Sequence, residues 1–404
     1  MKNRRKFLVG GSLVALGAYS YHRGLRYPRL NFEPRAMPTA LSYSDSEIRL
    51  TDLILVNEAV TEKADTNTDV LRFRAFAPEP KLNILCRSEM IEFSVNNIAH
   101  DSVLSVIAKD KIELSEEQDG LSRNIRIESK IDQEVGLEWT LANNESIDFA
   151  VIGDTGGNTE LDWCLTKAKQ YGAKFLLHLG DFNYGNGDYS RALKVFNSAP
   201  IPCYVSIGNH DFNDKGLVYH KFRNQLGPFN HSFTVAGTRF INFDTGADFF
   251  PASGGLRGEL IEQICADPRP RQVFFTHRPL RDPRPGEDHI VGSINGIEVL
   301  SNMIKQSGGG PLLTGHVHHS AELHTNGIHQ YTIGEGLGHE DILLQRQVAQ
   351  LLMGRATRNQ APTFNWRPLD MPWAAHQSHT HLKKLKKRGD QRLIDWYQNR
   401  VFAS

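Results

Sequence analysis

The chain has 404 residues, 23% of them charged and 40% hydrophobic, an ordinary soluble composition with length enough for two or three domains. Formal net charge is zero, yet residues 1–30 carry seven Lys/Arg and no acid, and residues 376–404 carry seven Lys/Arg against two Asp. The intervening body is therefore acidic, which argues against a nucleic-acid-binding core; no nucleic-acid partner is expected.

The chain starts "MKNRRKFLVGGSLVALGAYSYH". Its uncharged run ends at Tyr21, too short for a membrane-spanning helix, which takes ~20 apolar residues, but of signal-peptide size. The order Asn3-Arg4-Arg5-Lys6-Phe7-Leu8 resembles a twin-arginine export signal. Residues 1–30 are thus expected to be a signal or anchor, with an export machinery as partner and a periplasmic or otherwise exported location. Leu16-Gly17-Ala18 is a poor small-x-small cleavage match, so membrane association through an uncleaved N-terminus stays open.

Residues 45–143 read as an all-β sandwich-like domain. "VLRFRAFAP", "IEFSVNNI", "NIRIESKI" and "VGLEWTL" alternate apolar and polar residues and are joined by Asn-, Asp- and Gly-bearing connections. Nothing in this stretch clusters catalytic residue types.

The pattern changes after Asn144. "IDFAVIGD", "KFLLHLGD" and "PCYVSIGNHD" each run apolar and stop at Gly plus a polar residue. "TELDWCLTKAKQYG" spaces Leu161, Cys164, Leu165 and Ala168 for a helix, and "YSRALKVFNS" fills the same place in the next unit, so βαβ repeats are expected. "FTVAGTRFINFD" predicts a hairpin turning at Ala236-Gly237, and "LHTNGIHQYTI" one turning at Asn326-Gly327. "QVFFTH" and "GPLLTGHVH" are two more strands. Residues 146–345 thus predict an α/β catalytic domain, a mixed sheet flanked by helices, and residues 346–404 a helical basic C-terminal extension. "HQSHTH" at 376–381 reads as a polar connector rather than a metal site. Cys86, Cys164, Cys203 and Cys265 show no CxxC spacing and are expected to be free, buried thiols.

Ligands of open α/β sheets collect at the carboxyl ends of strands. Five predicted strands end in metal-type ligands: Asp154, Asp181, Asn209, His277, and the pair His316 and His318. In extended backbone, side chains two apart point the same way, so His316 and His318 would serve two neighbouring metals, which the two oxygens of Asp181 could bridge. Imidazole with oxygen donors suits zinc, iron or manganese better than magnesium alone.

The order Gly-Asp154, Gly-Asp181, Gly-Asn209-His210-Asp211, His277, Gly-His316-Val317-His318 resembles the calcineurin-like metallophosphoesterases over residues 148–338. Most members carry a His two residues after the first Asp; here Gly156 stands there. The purple acid phosphatase branch has Gly at that place and a tyrosine three residues after the bridging Asp, matching Tyr184, and it too carries a β-sandwich before the catalytic domain. The resemblance implies metallophosphoesterase-type mixed β-sheets flanked by helices and two metal ions. The first, ferric iron, would have Asp154, Asp181, Tyr184 and His318; the second, zinc, iron or manganese, would have Asp181, Asn209, His277 and His316. It implies hydrolysis of a small-molecule phosphomonoester by metal-bound hydroxide, with His210 binding the phosphoryl group or protonating the leaving oxygen and Asp211 orienting His210. The branch usually has a further His nine or ten residues after the His277 equivalent. Those places are Gly286 and Glu287 here, and His289 is the nearest candidate.

The loop from Arg278 to Gly292 is expected to form the pocket rim, with Arg278, Arg281 and Arg284 either binding a second negative charge on a monoester or simply solvated. Two alternatives stay open. One is a phosphodiesterase on the same centre, acting on a cyclic nucleotide or lipid headgroup. The other is a surface binding protein with a vestigial site, against which the complete ligand blocks argue.

Overall fold

The computed structural model describes residues 48–50, 53–56, 59–62, 71–333 (except 144, 158, 186, 212–218, 247–254 and 293), 350–369, and 386, 387, 389 and 391. The expected signal and the "HQSHTH" connector lie outside the described residues.

Among the described residues the N-terminal region holds ten strands: β1 Ile48–Leu50, β2 Leu53–Val56, β3 Ala59–Glu62, β4 Leu71–Ala75, β5 Lys81–Cys86, β6 Met90–Asn96, β7 Ser102–Ala108, β8 Glu113–Asp119, β9 Ser122–Glu128 and β10 Gln133–Leu141. They form two five-stranded sheets, ordered β1-β2-β5-β10-β7 and β3-β4-β6-β9-β8. Alternation along the strands turns Leu82, Ile84, Val135, Leu137 and Trp139 of one sheet toward Phe73, Phe93, Val95, Ile125 and Ile127 of the other, and these pack as one core. This is the sandwich that the alternating sequence predicts.

The following region holds β11 Ser146–Ile152, α1 Thr159–Gln170, β12 Phe175–His178, α2 Asp188–Asn197, β13 Cys203–Val205, α3 Tyr219–Gln225, β14 His231–Val235, β15 Thr238–Asn242, α4 Gly255–Ala266, β16 Gln272–Thr276, α5 Ile294–Gln306, β17 Leu312–Thr314, β18 Ala321–Thr325 and β19 Ile328–Thr332. Two strands close the described chain, β20 Gln350–Thr357 and β21 Gln360–Pro368. β11, β12 and β13 pair in parallel through α1 and α2, as the βαβ reading expects. α1 buries Leu161, Cys164, Leu165 and Ala168, and acids in its first turn and lysines in its last complement the helix dipole. Both expected hairpins form, β14–β15 and β18–β19.

The fold class is the expected one, mixed sheets flanked by helices, but the strands read as one sheet divide into two, ordered β13-β12-β11-β20-β21 and β14-β15-β16-β17-β19-β18. Their inner faces meet through aromatic rings: Phe149 of β11 stacks on Phe175 of β12 at 5.4 Å and meets Phe240 of β15 edge-on at 5.1 Å. The expected helical extension from residue 346 is, over 350–368, a β-hairpin. β20 pairs antiparallel with β11. The reason lies in β11, whose backbone would otherwise be an open sheet edge; the buried Leu351, Leu352 and Ala356 cover it.

The sandwich docks on β13, the other edge of the first of these sheets. The Asn97 side chain donates to the Cys203 carbonyl at 3.0 Å and accepts from the Cys203 N–H at 2.9 Å, satisfying backbone groups that a further strand would otherwise take. No disulfide forms among the four cysteines; Cys86, Cys164 and Cys203 are buried and Cys265 is half-buried.

Candidate metal centre

β11, β12, β13, β16 and β17 all end at one place, the seam between the two sheets. The loops beyond them carry Asp154, Asp181, Asn209, His277, His316 and His318, and all of these are wholly or largely buried. Asp154, Asp181, His316 and His318 all have positive φ, at 55°, 60°, 72° and 51°. Non-glycine residues there cost of order 1–3 kcal/mol each, and such residues concentrate at functional sites.

Two donor groups result. In the first, Tyr184 Oη lies 3.3 Å from Asp154 Oδ1, 3.3 Å from Asp181 Oδ2 and 3.1 Å from His318 Nε2. His318 Nε2 is also 3.3 Å from Asp154 Oδ1. In the second, His277 Nε2 lies 2.9 Å from Asn209 Oδ1, 3.1 Å from His316 Nδ1 and 3.4 Å from Asp181 Oδ2. Asp181 Oδ2 is the atom common to both groups.

The backbone explains the glycines before the ligands. A Cβ on Gly208 would stand 2.2 Å from Asp181 Oδ1, and one on Gly315 would stand 2.6 Å from Asp154 Oδ2. The ligand loops touch each other through these bare positions. His316 N–H donates to Asp154 Oδ2 at 2.8 Å and His210 N–H to Asp181 Oδ1 at 2.8 Å, so each carboxylate keeps its other oxygen for the donor group.

The donor chemistry fits cations. Carboxylate, phenol, amide and imidazole atoms converge with few hydrogens among them, an arrangement that is costly in a buried site unless positive charge joins it. The protonation pattern shows how strongly the carboxylates draw positive charge into the site. Burial drives the His277 imidazole down, but the Asp181 carboxylate overrides this and lifts it to about 9. Burial opposes ionisation of Asp181 too, yet the charges of His277 and His210 hold it well below the usual carboxylate range. His277 Nδ1 donates to the Leu179 carbonyl at 2.8 Å, which points Nε2 into the group. Burial, then the charges of Asp181 and Asp154, hold the Tyr184 phenol far above its ordinary value, so the phenolate needs a strongly charged ion to form. Asp181, His277 and His316 are the one set of three His/Cys/Asp/Glu residues, among the described residues, whose donors all lie within 4.8 Å of one another.

The structure brings the remaining candidates to the same place, with three corrections. His210 lies over Tyr184, ring centroids 4.5 Å apart, with Nε2 4.0 Å from Asp181 Oδ2 and 42% of its side chain exposed. His289 lies at the rim, its ring 5.7 Å from that of His316. Asp211, however, does not orient the His210 imidazole: its oxygens accept from the backbone N–H groups of Asp181, Gly208 and Phe182 at 2.9, 2.8 and 3.1 Å. It ties the β12 and β13 loops together, and burial followed by the Asp181 charge pushes its carboxyl above the usual carboxylate range. His316 and His318 do not sit in extended backbone. They occupy a turn in which Val317 N–H donates to the Gly315 carbonyl, and they reach different donor groups because the chain turns between them. Arg284 forms a buried ion pair with Asp282 at 3.0 Å, which also accepts the His289 N–H, so it braces the rim loop. Arg278 Nη1 stands 2.7 Å from His316 Nε2.

One contributor was missed. His178 is fully buried; its Nδ1 accepts from Gly180 N–H at 3.2 Å and its Nε2 pairs with Thr155 Oγ1 at 2.8 Å. It links the Asp154 and Asp181 loops from beneath. The signal was present: a histidine inside the apolar run "KFLLHLGD" has to find polar partners.

Residues 147–320 match the calcineurin-like phosphoesterase family. This part of the chain is a calcineurin-like phosphoesterase domain, the class of metal-dependent phosphoester hydrolases. No curated protein matches the chain in sequence. Similar solved structures include PhoD, with 11% identity over 82% of this chain and 98% of that one and a TM-score of 0.42. A dimetal phosphatase from Danio rerio has 11% identity over 55% and 96%, with a TM-score of 0.41. GAP50, the anchor in the inner membrane complex of Plasmodium, has 12% identity over 56% and 85%, with a TM-score of 0.41.

Proposed function

We propose that the protein is an exported phosphomonoesterase with a binuclear centre of the purple acid phosphatase type. Asp154, Asp181, Tyr184 and His318 would hold ferric iron, and Asp181, Asn209, His277 and His316 would hold zinc, iron or manganese. The observation that carries this reading is the place of Tyr184 Oη, within 3.3 Å of Asp154, Asp181 and His318, where Gly156 offers no side chain. When bound, the ions supply Lewis-acid activation of water and neutralise phosphoryl charge.

The chain's own residues supply the rest. Asp181 holds the two donor groups at a fixed separation. His210, exposed above the buried ligands, hydrogen-bonds the phosphoryl group or delivers a proton from Nε2 to the leaving oxygen. Its backbone N–H on Asp181 keeps it over the centre. His289 contributes at the rim, beside His316. The substrate is a small phosphate ester.

A diesterase on the same centre is the second reading. What favours it is Arg284: bound to Asp282, it is not offered to the second charge of a monoester. The deciding experiment is metal analysis of protein purified from its own compartment, with turnover of a monoester and a diester measured in parallel. Two metals, one of them iron, and faster monoester turnover are expected; faster diester turnover selects the second reading.

Export and periplasmic location, with retention at the inner membrane if residues 1–30 stay uncleaved, rest on the sequence around Arg4 and Arg5. Among the described residues no helix is long and apolar enough to cross a membrane. Arg4→Lys with Arg5→Lys keeps the charge and removes the pair, so folded enzyme should accumulate in the cytoplasm. Unchanged delivery in a fractionation assay points to a different export route.

A further inference from the structure

The β18–β19 hairpin carries metal-type donors that the centre does not use. Its two-residue turn at Asn326 and Gly327, with φ of 50° and 75°, sets His324 opposite His329 and Glu322 opposite Tyr331. In such a hairpin the pair flanking the turn, Thr325 and Ile328, is the hydrogen-bonded one. His324 and His329 are then a non-hydrogen-bonded pair, the kind whose side chains approach most closely. Strand alternation puts Glu322, His324, His329 and Tyr331 on one face, while Ile328 and Gln330 go to the buried face.

The side chains follow this register. The His324 and His329 rings stack with centroids 4.4 Å apart and planes 12° apart. His329 Nε2 is 3.4 Å from Glu322 Oε2. Tyr331 lies against His329 at 4.4 Å and continues onto Phe364 at 4.9 Å, an aromatic floor that restrains the His329 ring. Glu322 and His324 are exposed and His329 is half-buried, so all three can be reached from solvent.

From this juxtaposition we infer that the hairpin is a separate surface site for one zinc-class divalent cation, held by His324, His329 and Glu322 with water completing the shell. Two imidazoles and one carboxylate are a donor set for zinc or copper rather than for magnesium or calcium. The platform is preorganised: a paired hairpin fixes both Cα positions, and β19 is held by β17 on its other side. As they stand, the three donors do not all lie within 4.8 Å of one another, so binding requires the exposed His324 imidazole to turn out of its stack on His329. A bound cation would cross-link β18 to β19, the hairpin that directly follows His316 and His318 in the chain.

The test is a zinc titration by calorimetry at pH 7.5, on enzyme purified with its own metals. Wild type should take up one more zinc at micromolar concentration than His324→Ala with His329→Ala. Glu322→Gln should keep the stoichiometry and weaken the binding. Because the reading is a difference between proteins, it does not depend on how many ions the catalytic centre holds. Zinc should also move the His324 and His329 ring-proton resonances together. Equal uptake by wild type and the double variant, or uptake only at millimolar zinc, overturns the inference and leaves a stacked histidine pair. Turnover of a phosphomonoester should match wild type in the double variant, which separates this site from the catalytic one.

Discussion

The two sheets of the phosphoesterase domain bring different chemistry to one seam. The first, through the ends of β11, β12 and β13, contributes oxygen donors: Asp154, Asp181, Tyr184 and Asn209. The second, through β16 and β17, contributes nitrogen donors: His277, His316 and His318. Neither sheet completes a donor group. The first group needs His318 from the second sheet, and the second needs Asp181 and Asn209 from the first. The centre is therefore a product of how the sheets pack across Phe149, Phe175 and Phe240, not of either βαβ unit alone. The anionic ligands all belong to the first sheet, and glycines at 208 and 315 let the loops approach closely enough to share one oxygen.

The sharpest way to break this arrangement is Asp181→Asn, because Asp181 Oδ2 alone faces both groups. Metal content should fall at both sites and turnover should vanish, while circular dichroism stays native. Two retained metals with near-normal turnover would remove the bridging role.

His210 is the exception to the division, an imidazole from the oxygen-donor sheet, and it is the next largest effect. His210→Ala should keep both metals and lower turnover by roughly 10²–10⁴, the usual weight of a general acid. The loss should shrink for esters with good leaving groups. Loss of metal instead would make it a ligand.

Tyr184→Phe probes one group and spares the other. It should weaken the first metal and leave the second. If Tyr184 binds ferric iron as phenolate, the oxidised wild type absorbs visible light by ligand-to-metal charge transfer, and the variant does not. Adding Gly156→His places an imidazole nearby and should restore metal without colour. Gly156 has φ 63°, so the histidine costs about 1–2 kcal/mol of backbone strain and the rescue should be partial. A colourless, iron-loaded, oxidised wild type would reduce Tyr184 to a loop residue and strengthen the diesterase reading.

The smallest effect compares a buried histidine in each sheet. Burial lowers His178 in the first to about 3, and lowers His231 in the second to about 4. Both folded values lie below the unfolded one, near 6.5. The stability they allow is fully present above pH 6.5 and is lost as pH falls toward the folded values, because only the unfolded chain takes up the protons. At pH 5.5 each histidine should cost about 1.2 kcal/mol relative to pH 7. Denaturant unfolding of His231→Gln across pH 7.5 to 5 should show a shallower slope than wild type. An unchanged slope would mean that His231 takes up its proton in the folded state.

The ligand blocks were legible because each is a short apolar run ending in a polar residue, a pattern that local physics makes readable. Alternation likewise announced β4, β6, β9 and β10, and Asn326-Gly327 announced its hairpin. Three readings went astray for a common reason. Asp211 follows His210 in sequence, yet its partners are the backbone N–H groups of Asp181, Gly208 and Phe182, which only the crossing of two loops brings near. Arg284 looked like a substrate contact until the loop folded Asp282 against it. The "GHVH" stretch reads as extended, yet a turn places both histidines at positive φ.

Which atoms can bind metal, and in what order the chain delivers them, is legible residue by residue, since donor type and strand-end position are local properties. Long-range packing sets the rest: β20 covers the edge of β11, the strands divide into two sheets, and Asp181 presents one oxygen to both donor groups. Those outcomes depend on contacts between segments far apart in the chain. The free energy that selects among them comes from burying whole faces, an effect that no short stretch of sequence encodes.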